Sequence, residues 1–178
     1  MGRENLLKKE KKIAEAKKQS TKEEKENMDA KSAHDIIKNL ENFGGVFTAD
    51  QLKDVKILGL PVMLLILDSG HWISLYMDEK NLEIMDSEGF MVDESFNKHL
   101  CRFLCAHSYG KTLTVTPKLQ NESSSDCGKY ATSFLFYRAV TGQSLKTFAA
   151  MFSKDYEENS QNIEKIYKTI QDIRSNRR

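Results

Sequence analysis

Cys127 stands at the mouth of an apolar run, ATSFLFYRAV, behind the polar loop LQNESSSD and directly before Gly128. A cysteine kept for packing belongs inside such a run. At the start of a helix, backbone amides favour negative charge and help hold a thiol as its thiolate, which is the nucleophilic form. Thiolate chemistry needs a base, and the base needs something to orient it. Of the four histidines, His34, His99 and His107 fall on helical segments or at a helix end, where a solvated or half-buried histidine is ordinary. His71 instead opens a β segment after a Ser-Gly turn and precedes the single tryptophan, Trp72. Asp86 ends the next β segment, in the stretch IMDSEGF. Two antiparallel segments on a short turn bring the first residue of one near the last of the other, where a carboxylate can fix the imidazole's tautomer. Glu88 and Asp78 compete for that role. Gln120, ahead of Cys127, offers a carboxamide that could join the Cys127 amide in holding an oxyanion during acyl transfer. Singly, these are a strand-start histidine, a turn aspartate and an unremarkable glutamine. In the order His, Asp, Gln, Cys-Gly they point to acyl-transfer chemistry at an activated thiol.

Positioning these residues takes a small set of elements. AHDIIKNLENF reads as a short amphipathic helix with Ile36, Ile37, Leu40 and Phe43 on one side, ended by Gly44-Gly45. Thr48 with Gln51 forms a capping box for a second short helix, ADQLKDV. VMLLIL, HWISLYM and LEIMD have β character and are joined by the polar turns Asp68-Ser-Gly70 and Asp78-Glu-Lys-Asn81, which predicts an antiparallel meander. ESFNKHLCRFLCA is helical, with Phe96, Leu100, Phe103 and Leu104 as its apolar stripe and Cys101 and Cys105 as packing thiols on that face. KTLTVT is a further strand, and helices are predicted over about 128–140, 144–153 and 157–173. A metal site from Cys101, Cys105 and His107 lacks a fourth ligand in good spacing and is not expected. The fold class is α+β: a small mixed or antiparallel sheet carrying His71 and Asp86, packed against a helix that carries Cys127.

The whole chain of 178 residues suits one domain with a real core. Residues 1–31 are dense in Lys and Glu and form a charged arm, helical or disordered; the domain proper runs over 32–178. The net charge of +1 averages over basic segments at both ends, where Lys8, Lys9, Lys11, Lys12 and the closing KIYKTIQDIRSNRR could contact phosphates. Three cysteines without paired spacing suit a reducing, intracellular compartment. The longest apolar stretch, LGLPVMLLIL, is far below the roughly 20 residues of a membrane span, and no signal-peptide core follows the first charges. Leu6 stands where a myristoylation motif wants Ser or Thr, so no lipid anchor is expected.

Taken together, GHW, then DSEGF, then Gln120 and Cys127-Gly128 at the head of an apolar helix resemble the adenovirus-type, adenain-like cysteine proteases, whose clan also holds the SUMO- and NEDD8-specific proteases. The resemblance spans about residues 43 to 140, and FGGVFTADQL resembles the family's early segment. Gly89-Phe90 after Asp86 and the Gln120-to-Cys127 spacing favour the adenain side, whereas Asp126 before Cys127 is common among the SUMO proteases. The resemblance implies Cys127 as nucleophile, His71 as base, Asp86 as its orienter and Gln120 as oxyanion donor. Trp72 and Gly128 would border the substrate groove, with a core role for Trp72 as the alternative. It further implies a viral or virus-like enzyme that cleaves precursor or capsid proteins at Gly-containing small-residue sites, in the virion or in the host nucleus or cytoplasm.

The expected partner is a polypeptide substrate, met by a monomer without a membrane, a metal or a resident cofactor. DNA or a short peptide could activate it. A disulfide-linked peptide is not expected, because Tyr109 stands where the family has the linking cysteine. Two other readings stay open. One is a deubiquitinase or deSUMOylase with the same four residues. The other is an inactivated protease fold that holds nucleic acid through its basic ends.

Overall fold

The computed structural model describes residues 34–90, 97–121 and 123–176. The charged arm over 1–31 lies outside the described residues, as does Phe96 of the expected helical stripe. Among the described residues, five strands form one sheet whose spatial order follows the sequence: β1 (Phe43–Thr48), β2 (Val62–Asp68), β3 (His71–Met77), β4 (Asn81–Met85) and β5 (Thr112–Val115). β2, β3 and β4 make the expected antiparallel meander, while β1 and β5 run parallel to their neighbours, so the sheet is mixed. A 3₁₀ helix (Ala49–Asp54), α1 (Lys98–Ser108), α2 (Cys127–Thr141), α3 (Leu145–Ala149) and α4 (Tyr156–Ser175) accompany the sheet. The observed class is α+β.

Alternation along the strands assigns the two faces. Met63 and Leu65 of β2, Trp72 of β3 and Met85 of β4 face α2, α3 and α4, and join Tyr130, Phe134, Leu135, Phe148 and Ile163 in one core. The intervening Leu64, Ile66, Ile73, Leu75, Leu82 and Ile84 meet the 3₁₀ helix and α1 through Leu52, Leu100, Phe103 and Leu104. Because β2 is covered on both faces, it reads as an unbroken apolar run. α2 is buried along most of its length, which explains why ATSFLFYRAV shows no amphipathic stripe.

Three readings are corrected. FGGVFT is a strand, not a helix end followed by a connector: a Cβ on Gly44 would meet Leu64 Cδ2 and Val62 Cγ2 at 2.8 Å, so glycine is what lets β1 lie against β2. The helix before it ends at Ile37 rather than running on to Phe43, and Asn42 takes a positive φ of 63° before β1 begins. On α1, Leu100, Phe103 and Leu104 are buried, but Cys105 is exposed and Cys101 only half-buried. Each cysteine follows a buried leucine by one residue, a rotation of about 100° that carries it off the packed face.

Two buried polar side chains fix how the helices sit on the sheet. Ser74 Oγ, fully buried in β3, donates to the Ala131 carbonyl of α2 at 2.9 Å, which sets the helix against the strand that begins with His71. Asn159 of α4 is also fully buried: its Nδ2 donates to the carbonyls of Leu119 (2.9 Å) and Ser153 (3.0 Å), and its Oδ1 accepts from the Ser153 amide at 2.9 Å. Ala131 keeps its helical bond without Ser74, so Ser74→Ala should cost about 1 kcal/mol. Asn159→Ala strands the Ser153 amide and carbonyl and leaves the Leu119 carbonyl only the Tyr130 hydroxyl at 3.4 Å, and should cost roughly 2–4 kcal/mol. Urea unfolding of both variants checks this; equal losses, or the reverse order, would contradict the assigned roles.

Candidate active site

His71, Asp86, Gln120 and Cys127 converge at one end of the sheet. The β3–β4 ladder closes at Ser74↔Met85, short of His71, so Asp86 is not its direct cross-strand partner. Asp86 lies just past β4 and reaches the ring by its side chain: His71 Nε2 donates to Asp86 Oδ1 at 2.7 Å. The carboxylate is held from behind by its own backbone. The Asp86 amide donates to Thr116 Oγ1 at 2.9 Å, and that hydroxyl donates to the Asp86 carbonyl at 2.6 Å. Thr116 directly follows β5, so the parallel edge strand serves to anchor the acid.

With Nε2 committed to Asp86, Nδ1 is the ring nitrogen left for the thiol. It is buried, has no well-aligned hydrogen-bond partner, and lies 3.6 Å from Glu88 Oε1. Burial alone would lower the imidazole's pKa; the hydrogen bond to Asp86 and the interaction with the Cys127 thiol override it and raise the pKa from 6.5 to about 10. The loose alignment between ring and thiol is usual before substrate binds.

Cys127 is the first residue of α2 and is 8% exposed. Asp126, the N-cap, makes no side-chain cap bond to the helix. Its carboxylate turns instead to Lys129 Nζ (2.7 Å), Ser160 Oγ (2.6 Å) and Ser124 Oγ (2.8 Å), and Lys129 continues to Glu164 Oε2 at 2.8 Å. Burial would raise the Asp126 pKa, but Lys129 and the two serines hold it below the usual carboxylate range. The arrangement stitches the start of α2 to α4. It also leaves the first-turn amides, which have no intrahelical acceptor, uncapped by that side chain and available to a thiolate or an oxyanion. Gly128 follows because the helix approaches β3 closely: a Cβ there would meet Trp72 Cδ1 at 3.3 Å. Trp72 is 4% exposed and packs in the core, so of its two expected roles the structure places it in the core role.

Gln120 is gripped at both ends of its carboxamide. Ser87 Oγ donates to Oε1 at 3.0 Å, and Nε2 donates to Glu88 Oε1 at 3.2 Å. The amides of Leu119 and Gln120 both donate to the Ser87 carbonyl, at 2.8 and 3.0 Å. A chain of contacts therefore runs Gln120–Glu88–His71–Cys127. Of the two competing acids, Asp78 stays in the β3–β4 turn, accepting from the Lys80 and Asn81 amides. His99 lies near Asp50 and His107 stacks on Phe103, away from the thiol. Ser87, Thr116 and Asn159 support the site and carried no signal in the sequence beyond ordinary turn, strand and helix positions. Among the described residues no cluster of three His, Cys, Asp or Glu is arranged to hold a metal ion, and no helix is long and apolar enough to cross a membrane.

No family model and no curated protein matches the chain. Solved structures similar to it include two proteases. An ASFV protease aligns at 15% identity and a TM-score of 0.44, covering 70% of this chain and 56% of that one. A de-sumoylating protease aligns at 16% identity and a TM-score of 0.41, covering 85% of this chain and 78% of that one. This chain thus spans little more than half the length of the ASFV protease. Likeness at this level concerns the path of the chain; what the residues can do follows from their geometry.

The folded state holds the His71 proton more tightly than an unfolded chain, whose imidazole stays near 6.5. The stability this contributes is complete below about pH 6.5 and is lost as pH rises through about 10. Imidazole ¹⁵N spectra should show His71 protonated at pH 8, and Asp86→Asn should move its titration down by a unit or more. A wild-type ring that titrates near its ordinary value would mean that the Asp86 contact is not the one described.

Proposed function

We propose that the protein is a cysteine endopeptidase. The observation that carries this reading is the His71 ring, bonded through Nε2 to a buried, backbone-anchored Asp86 and left with Nδ1 for a thiol at a helix N-terminus. In this scheme His71 Nδ1 already holds the Cys127 proton, the two resting as an imidazolium–thiolate pair, and the thiolate forms a C–S bond with the scissile carbonyl carbon. The carbonyl electrons move to oxygen, where Gln120 Nε2 and the Cys127 amide receive the charge. Collapse breaks the C–N bond as the imidazolium gives its proton to the leaving amine. Water, deprotonated by the same ring, then attacks the thioester, and the thiolate departs from the acid product.

The finer reading is cleavage of precursor proteins at Gly-containing small-residue sites, by an enzyme of viral or virus-like origin. It is supported by the sequence resemblance, above all Gly89-Phe90 and the spacing from Gln120 to Cys127. Processing of ubiquitin-like proteins uses the same chemistry and is separated from it by substrate, not by mechanism.

A thiol-reactive Gly-Gly peptide probe tests the core of the proposal, with Cys127→Ala and His71→Ala alongside and with DNA present or absent. Labelling should fall on Cys127, disappear in Cys127→Ala, and slow by roughly 10²-fold or more in His71→Ala, within the usual range for a lost general base. Labelling of Cys127 no faster than of Cys101 or Cys105 would remove the nucleophile and with it the peptidase reading. Acceleration by DNA would give the basic ends a regulatory role. Turnover of full-length ubiquitin-like substrates in preference to Gly-containing peptides would overturn the precursor-protease reading alone.

A further inference from the structure

Glu88 is unexpected where it stands. A single carboxylate oxygen, Oε1, lies 3.2 Å from Gln120 Nε2 and 3.6 Å from His71 Nδ1. These are the donor meant for the oxyanion and the nitrogen that exchanges protons with thiol and leaving group. Peptide hydrolysis ends on a carboxylate at this same pair of groups. We propose that the Glu88 side chain is a built-in product mimic, which fills the position of the substrate's reacting carboxyl in the resting protein and must swing out before a peptide is cleaved. The proposal rests on the peptidase reading above.

The surrounding bonds separate what is fixed from what can move. The Glu88 amide donates to Asp86 Oδ1 at 3.0 Å, and the Gly89 amide donates to the Asp86 carbonyl at 3.1 Å. Gly89 turns the chain at a φ of 88°, a conformation open to glycine, and is pressed so closely on Lys118 that an added Cβ would meet its Cβ at 3.2 Å. The backbone of Glu88 is therefore held to the catalytic acid itself. Its side chain is 39% exposed, so its own torsions suffice to carry the carboxylate into solvent. When it leaves, Ser87 still bonds Gln120 Oε1 and keeps Nε2 aimed into the vacated space. A carboxylate left in place would face the developing oxyanion with like charge, so occupancy and catalysis exclude each other.

The test uses the full chain as wild type, Glu88→Gln and Glu88→Ala. N-acetyl-glycylglycine, a product carboxylate, should bind Glu88→Ala at least tenfold more tightly by calorimetry, with Glu88→Gln between it and wild type. The kcat/KM for a Gly-Gly peptide should rise severalfold in Glu88→Ala, chiefly through a lower KM. Unchanged affinity for the acid, or slower cleavage by Glu88→Ala, would overturn the mimic; slower cleavage would place Glu88 in the working machinery instead. Glu88→Gln keeps the shape and serves if the alanine variant folds poorly. Alkylation of Cys127 by iodoacetamide, which needs no oxyanion site, separates the two levels. Alkylation that depends on His71, with no gain in product affinity or cleavage in the Glu88 variants, sinks the mimic only; alkylation independent of His71 sinks the peptidase reading and the mimic with it.

Discussion

The hydrogen bond from His71 Nε2 to Asp86 Oδ1 is the constraint around which the rest is arranged. A carboxylate that is 6% exposed is costly unless its partners are in place, and Asp86 has them on two sides. The imidazole and the Glu88 amide share one carboxylate oxygen, while Thr116 brackets the backbone. Thr116 is available because β5 pairs parallel with β4, and the Thr116 amide continues the ladder to the Ile84 carbonyl. The edge strand is short and largely exposed, and contributes little to the core. Its position is better understood as support for an acid that in turn fixes the orientation of the His71 ring.

The other half of the site depends on how closely α2 approaches β3. Gly128 leaves no Cβ between the helix and the Trp72 ring, and Ser74 bonds the next turn of the helix through Ala131. Those two contacts hold Cys127 and His71 through the two elements that bear them. Further along α2, Arg138 lies over the Tyr76 ring at 3.9 Å and reaches Glu83 at 3.1 Å. Burial pushes the Glu83 carboxyl up, and the Leu145 amide and Arg138 pull against that. Both ends of the helix are thus tied to the same sheet, so the thiol cannot drift from the imidazole without breaking buried polar contacts.

The sequence was informative where local chemistry and spacing coincide. The meander was legible because β2, β3 and β4 are separated by two short polar turns, and the position of Cys127 at a helix start followed from a polar loop meeting an apolar run. β1 was not legible, since Gly44-Gly45 signals a break locally and only the approach of Leu64 and Val62 makes it strand-compatible. The parallel pairing of both edges was hidden for a related reason: nothing within Phe43–Thr48 or Thr112–Val115 records which strand lies beside it. Cys101 and Cys105 show the limit of a stripe read by residue type, because one step around α1 separates a packed position from a solvated one. Glu88 was read as a weaker rival to Asp86 for orienting the ring. The carboxylates instead address different nitrogens of it.

That division of labour follows from exposure. Asp86 and Glu88 both lie within reach of one imidazole, beside a thiol whose reactive form is an anion. Three acids around one cation cannot all stay close when an oxyanion forms as well. Asp86, at 2.7 Å with a side chain 9% exposed, is held in a poorly screened interior and stays. In the proposed reaction Cys127 is the nucleophile and changes partner by forming a bond. Glu88, at 3.6 Å with a side chain 39% exposed, has the weakest hold on the ring and can leave at the lowest cost in electrostatic energy, because water replaces its contacts as it moves out. On the proposed reading, the gradient of burial across one histidine thus separates a permanent support, a nucleophile and a removable occupant.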